Sequence, residues 1–395
     1  MTIEELRRLA AEGRLPRVDR THYINNHIHT TYSFSPYTPA DAVYTAHMSG
    51  LATAGIMDHD TAGGAAEFIE AGALLSMPVT CGVECRVDMK GTPLEGKRLN
   101  NPDQVSVAYC AMHGIPHSNL RGVDEFFAPY RERRSERNRR MTEKLNGYLA
   151  SLGLSLSLDY DRDVLPLAAA TVTERHICFA LAGKIASLCG SPGATADFLK
   201  DRLGIWLTPK VEANIRAGDL TPQFFEYDIL GALKSGLVGS FFIPAGDELP
   251  KLCDFIRTAK KYGAITAYAY LGDVGDSVTG DKKAQKFEDG YLDMLFDVLT
   301  EYGFDAVTFM PSRNTAAQLE RVMGLCRSHG LFQISGEDIN SPRQGFVCRA
   351  YDRPEYAHLT DAAFALIAYE NAADEDPAAA RKIIENEIKK ESGKA

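Results

Sequence analysis

Tyr23-Ile24-Asn25-Asn26-His27-Ile28-His29 reads as a short strand that closes on an imidazole. In extended backbone alternate side chains share a face, so His27 and His29 point the same way and can reach one ion. Working outward, the same arrangement recurs. Pro39 to Gly50 is a predicted helix with proline near its start. Leu51 to Met57 is a strand running into Asp58-His59-Asp60, and Gly63 to Leu75 is a helix. Val79 to Val87, which carries Glu84, and Val105 to Met112, which runs into His113, are further strands. Strands alternating with helices predict a parallel α/β architecture.

Alternation resumes from Arg257: strand Ala264 to Ala269, helix Tyr291 to Tyr302, strand Ala306 to Phe309, helix Thr315 to His329 and strand Phe332 to Ser335. The last strand leads into Gly336-Glu337-Asp338-Ile339-Asn340. Between the two halves lie helical patterns: the Arg-rich stretch Tyr130 to Leu149, then Thr171 to Leu188 and Ala194 to Leu203. The expected organisation is a discontinuous barrel over residues 20–120 and 245–350. A helical insertion subdomain fills 121–244 and a helical tail 351–395. The tail is expected to pack on the outside or to mediate contacts in a homo-oligomer.

Imidazoles and carboxylates thus stand at successive strand ends, which a parallel barrel gathers on one face. His27, His29, His59, His113, Glu84 and Asp338 are the donor types that Zn, Mn or Fe take. Taken singly, H-x-H and D-H-D are weak signals, since a satisfied histidine or a helix N-cap explains each. Their order along the chain is the stronger signal.

His27-Ile28-His29-Thr30-Thr31-Tyr32-Ser33 resembles the opening motif of the PHP (polymerase and histidinol phosphatase) family. Ile56-Met57-Asp58-His59-Asp60 resembles its second motif, and Gly82-Val83-Glu84 the strand with its bridging glutamate. Met112-His113-Gly114 resembles the next histidine motif, and Thr173-Glu174-Arg175-His176-Ile177 a basic segment in the family's helical insertion. Gly336-Glu337-Asp338 resembles the closing motif. The resemblance spans residues 22 to 345 and implies a distorted (β/α)7 barrel, a divalent-metal site of one to three ions, and phosphate-ester hydrolysis.

The chain departs from that pattern in three places. Phe34 and Ser35 stand where a ligand follows the opening motif, Tyr270 lies in the segment nearest to a late His-Pro pair, and Asn340 replaces the closing histidine. By the resemblance, one metal position is complete: His27, His29, Glu84 and Asp338. A second keeps Glu84 and His113, and a third keeps only His59. His117 and Asp273 are candidate substitutes. His59, His113 or Asp58 can serve as acid or base instead of ligand. Arg175 and His176, at a helix start, and Arg313 and Arg343, beyond strand ends, are candidates for binding a small anionic substrate. Lys282 and Lys283 sit in a Gly/Asp-rich loop.

The expected function is a PHP-type metal-dependent hydrolase acting on a small, phosphorylated metabolite. A mononuclear isomerase or non-phosphate hydrolase acting on a sugar acid is the alternative, and a metal-stabilised binding protein without turnover is a second. The net charge of -10 disfavours nonspecific nucleic-acid binding. The run Arg131 to Arg140, interleaved with Glu132 and Glu136, reads as a solvated helix face, with one arginine turned toward the site as the alternative. No apolar run reaches the ~20 residues of a membrane span. With no secretion-type apolar core and eight cysteines lacking a C-x-x-C pair, the expected compartment is the cytoplasm.

Overall fold

The computed structural model describes residues 1–219, 223–275 and 285–393; Lys282 and Lys283 lie outside them. The strands are β1 Ile24–Ile28, β2 Thr53–His59, β3 Val79–Asp88, β4 Val107–His113, β5 Ile265–Ala269, β6 Ala306–Phe309 and β7 Phe332–Ser335. They form one seven-stranded sheet in chain order. The sheet curls into a nearly closed barrel. His29 N–H donates to Ile339 O at 2.9 Å and Ile339 N–H to His27 O at 3.1 Å, joining the end of β1 to the segment after β7. Asn26 Nδ2 donates to Ser335 O at 2.9 Å on the same seam.

The barrel helices are α1 Ile3–Ala11, α2 Pro39–Met48 and α3 Ala65–Leu74 in the first half. The interrupting helices are α4 Leu120–Ser151, α5 Glu174–Cys189, α6 Pro192–Asp197, α7 Pro209–Ala217 and α8 Phe224–Phe241. The second half and tail contribute α9 Leu252–Lys261, α10 Leu292–Tyr302, α11 Ala316–His329, α12 His358–Ala373 and α13 Pro377–Ser392. Local sequence explains many boundaries. Thr38 caps α2 ahead of Pro39, and Thr315 with Gln318 forms a capping box on α11. α4 begins ten residues earlier than expected and runs through Pro129. Its first turns are held by burial of Val123 and Phe127 in the barrel core, which outweighs the hydrogen bond lost at proline.

One strand departs from the all-parallel expectation: β4 runs antiparallel to both β3 and β5. An apolar run such as Val107-Ala108-Tyr109-Cys110-Ala111-Met112 carries no mark of direction. Buried apolar residues form several clusters, among them one between barrel and outer helices, a separate one within residues 141–241 to which Phe34 of the barrel also belongs, and one that seats α12 and α13 on β5, β6 and β7. Buried ion pairs tie the two parts: Glu248 holds both Arg86 of β3 and Arg137 of α4. All eight cysteines are free thiols. Among the described residues no helix is long and apolar enough to cross a membrane.

Candidate metal centre

The parallel register sets Glu84 of β3 level with His59 of β2, at the C-terminal mouth of the barrel. β1 brings His27 and His29 beside them. Asp338 arrives from the loop after β7, where Gly336 is required: a Cβ there would lie 2.8 Å from the backbone nitrogens of Asn26 and His27. Side chains from four strands or their ends therefore meet. His27 Nε2 is 3.7 Å and His29 Nε2 3.9 Å from Glu84 Oε2. His59 Nδ1 is 3.2 Å from the same oxygen, and His29 Nε2 is 3.2 Å from Asp338 Oδ1.

The donor set fits a divalent cation. The ligand atoms of His27, His29 and Glu84 all lie within 4.8 Å of one another. Buried ring nitrogens of His27 (Nε2) and His59 (Nδ1) have no hydrogen-bond partner, an expensive state for polar atoms unless a ligand completes them. The electrostatics agree. Burial opposes protonation of His27, but Glu84 and then Asp338 prevail and raise its pKa. Burial would push Asp338 up, yet the hydrogen bond from His29, with His27 and Arg175, holds its carboxyl well below the usual range. Burial first, then His29 and Arg134, keep His59 neutral.

These groups lie at the base of a cavity of about 1000 Å³ roofed by the interrupting helices. Arg175 and Arg313 line it, together with Tyr109, Arg134, Glu174, Trp206 and Lys234. Asn340 links wall to floor: its Nδ2 donates to Asp338 Oδ1 at 2.6 Å, and its Oδ1 accepts from Arg175 at 2.6 Å. A histidine expected there is thus replaced by a neutral bridge.

Other sequence candidates stand elsewhere. His113 ends a strand that runs the other way, and both of its buried ring nitrogens are unpartnered, close enough to His27 for that charge to act on it. Ala111 is opposite Glu84, so His113 faces the barrel interior on the same side, two residues toward the other end. Burial and the charge of His27 lower its pKa to about 3. Asp58 is buried beneath the site, accepting from Thr30 N at 2.7 Å and Ser33 Oγ at 2.6 Å. His176 is a capping residue: its Nδ1 accepts from Thr173 N at 2.9 Å, and its ring packs edge-on against Phe34. Arg343 is engaged outside the cavity by both carboxylate oxygens of Asp228. Neither proposed substitute reaches the centre. His117 pairs with Glu370 at 2.9 Å, and Asp273 takes Lys286 and the Phe287 amide. At the other departures, Phe34 joins the apolar cluster of the interrupting helices, and Tyr270 donates to Asp289.

Of the charged residues lining the cavity, Asp103, Glu174 and Lys234 were not among the sequence candidates, and Arg134 is an arginine of the run Arg131 to Arg140 turned toward the site. Glu174 adjoins Arg175 in the segment already singled out. Lys234 is a lone cation in the apolar run Ile229-Leu230-Gly231-Ala232-Leu233-Lys234-Ser235-Gly236-Leu237-Val238, which is the signal that could have found it.

No protein-family model matches the chain, and no curated protein matches it. Solved structures do share its fold. A Bifidobacterium adolescentis protein described as a metal-dependent phosphoesterase is 20% identical, covering 87% of this chain and 97% of that one, with a TM-score of 0.52. An amidohydrolase from Chromobacterium violaceum, with sulfate bound, is 17% identical over 86% of this chain and 96% of that one, with a TM-score of 0.53. At such identities the likeness shows the fold: a nearly closed seven-stranded α/β barrel elaborated by helices.

Proposed function

We propose that the chain is a metal-dependent hydrolase of the PHP phosphoesterase type, acting on a small phosphorylated metabolite. The observation that carries this reading is the convergence of His27, His29, Glu84 and Asp338, with the His27 Nε2 unpartnered, at the base of a cavity walled by Arg175 and Arg313. These residues would hold a divalent ion (Mn, Fe or Zn), which when bound supplies Lewis-acid polarisation of a phosphoryl oxygen and a nucleophile at neutral pH.

The chain's own side chains do the rest. Arg175, oriented by Asn340, presents its guanidinium beside Asp338, where it can bind phosphoryl oxygens. Arg313, whose Nε donates to Leu271 O at 3.3 Å, approaches from the connection between β6 and α11. His59 offers an unprotonated ring nitrogen to the same spot, as a further ligand or as a proton acceptor. The roofing helices limit water access and so strengthen each of these interactions.

A second reading rests on Phe34, Tyr270 and Asn340. Each is committed to packing or hydrogen bonding, leaving one complete ligand set. A mononuclear centre also suits an isomerase or a non-phosphate hydrolase acting on a sugar acid. Protein loaded with Mn, Fe or Zn is to be screened for phosphate release from phosphorylated metabolites and for turnover of uronates. Phosphate release that collapses in Asp338→Ala supports the phosphoesterase. Turnover of uronates without phosphate release overturns it in favour of the second reading.

A further inference from the structure

An ammonium group that lines a cavity without an acidic partner is available to an anion that enters. Lys234 of α8 is such a group: it lies on the cavity wall, exposed to the cavity's solvent. No hydrogen bond or ion pair engages it among the described residues. The charge that acts on it most strongly is another cation, Arg175, which with burial lowers its pKa; Glu174, Asp103 and Asp338 offset this less.

The nearby acids make no ion pair with it, and Asp103, exposed on the same cavity wall, acts on it less than Arg175 does. Glu174 faces Arg134, Arg86 and Arg137, all of which stabilise its carboxylate more than Lys234 does. Asp338 is held by His29 and Asn340. The two cations Lys234 and Arg175 are left facing one volume. The adjacent wall is bare: Gly231 and Ser235, one turn apart on α8, both line the cavity, and a Cβ on Gly231 would meet nothing within 4 Å. Arg175 is anchored by Asn340 beside the metal ligands, so the volume shared with Lys234 is next to the metal centre.

We propose that Lys234 is a specificity-determining residue that, with Arg175, binds a second anionic group of the substrate, separate from the phosphoryl group at the metal centre. The substrates selected are phosphate monoesters that also carry a carboxylate or a second phosphate. That substrate class rests on the hydrolase reading above, whereas the two-anion site is read from binding alone.

Trp206 provides the measurement, because it is the chain's single tryptophan and lines the same cavity. Mn-loaded wild type, Lys234→Gln and Lys234→Arg are titrated, following tryptophan fluorescence. The probes are inorganic phosphate and phosphonocarboxylic acids with one to four methylenes between the two anions. Their C–P bond is not hydrolysed. In the wild type the best phosphonocarboxylate binds roughly ten- to hundredfold tighter than phosphate, the worth of one charge-assisted hydrogen bond. Lys234→Gln loses that margin, and Lys234→Arg retains much of it. Thermal melts confirm that each variant is folded. A wild type with no such margin overturns the inference. So does an equal loss for phosphate and phosphonocarboxylate in Lys234→Gln, which would put the lysine on the reacting phosphoryl group. A protein that keeps the margin but releases no phosphate from any ester leaves this site standing and sinks the proposed reaction instead.

Discussion

The ion pair between Arg134 of α4 and Asp60 couples the roof of the cavity to its floor, and its removal has a calculable consequence. Asp60 directly follows His59, and it sits in left-handed backbone with φ of 56°. Its amide donates to Glu84 O at 2.8 Å, and its carbonyl accepts from Arg131 at 2.8 Å. Its Oδ2 is 2.5 Å from Arg134 Nη1, with side-chain exposures of 7% and 4%. Arg134→Met keeps the volume and strands a buried carboxylate, which costs about 3–5 kcal/mol. That is about a third or more of a typical domain's stability. Asp60→Asn alone strands the guanidinium at a similar cost, while asparagine still tolerates the left-handed conformation. The double variant leaves two neutral groups, so it is expected to return to within about 1–2 kcal/mol of the wild type, giving a coupling of roughly 3 kcal/mol or more. Urea unfolding of the four proteins measures this directly. Because the pair fixes the residue after His59, metal affinity should fall with stability in each single variant. Single variants that each lose less than about 1 kcal/mol, or losses that simply add in the double variant, would refute the reasoning.

Glu288 is fully buried, accepts from Leu271 N at 2.7 Å and leaves its other oxygen unpartnered. Burial raises its pKa from 4.5 to about 7 against the pull of the Leu271 amide. A folded-state pKa above the unfolded one gives stability that is present below pH 4.5 and lost as pH rises through about 7. The loss is at most about 3 kcal/mol. Glu391 carries a similar shift to about 7, so Glu288→Gln should remove part of the stability lost between pH 5 and 8; denaturant midpoints with the same pH slope in both proteins would contradict this. Among the thiols only Cys253 is exposed and Cys189 intermediate, the other six being buried. A thiol reagent should therefore modify Cys253 first, then Cys189, and reach the rest only on unfolding, as mass spectrometry of labelled peptides would report.

Much of the barrel is written locally. β6 and β7 coincide with the expected strands Ala306 to Phe309 and Phe332 to Ser335, and β1 begins one residue inside its expected start. For β6 and β7 the reason is physical: a short run bounded by turn residues and too short for a helix buries itself well as a central strand. The cluster of His27, His29, His59, Glu84 and Asp338 follows from the same pattern, because parallel strands bring their ends together. Direction, by contrast, has no local signature. The reversal of β4 sets His113 two residues deeper in the barrel than Glu84, and no residue within that strand announces it. Long-range pairing is equally silent. Arg343 and Asp228 are 115 residues apart, so the engagement that takes Arg343 away from the cavity could not be read from its neighbours. Lys234 is marked in the sequence only as a lone cation in an apolar helix, which does not say whether it faces a cavity or bulk solvent.

Phe34 explains why the departures from the PHP pattern and the interrupting helices belong together. At the place where the resemblance leads one to expect a ligand, the ring is buried. It packs edge-on against His176 at 4.8 Å, against Phe179 at 5.9 Å and beside Tyr227 at 5.6 Å. It is a barrel-loop residue that belongs to the apolar cluster of the interrupting helices. Arg175 lies over the same ring, at 5.9 Å from its centroid, and reaches from there to Asn340. A charged ligand at this position would have to be desolvated among aromatic rings, which is strongly unfavourable without a metal to pair it. An aromatic residue instead fixes α5 and α8 against the barrel. The same contact that occupies a ligand position therefore seats the two helices that carry Arg175 and Lys234, the two cations of the proposed anion site.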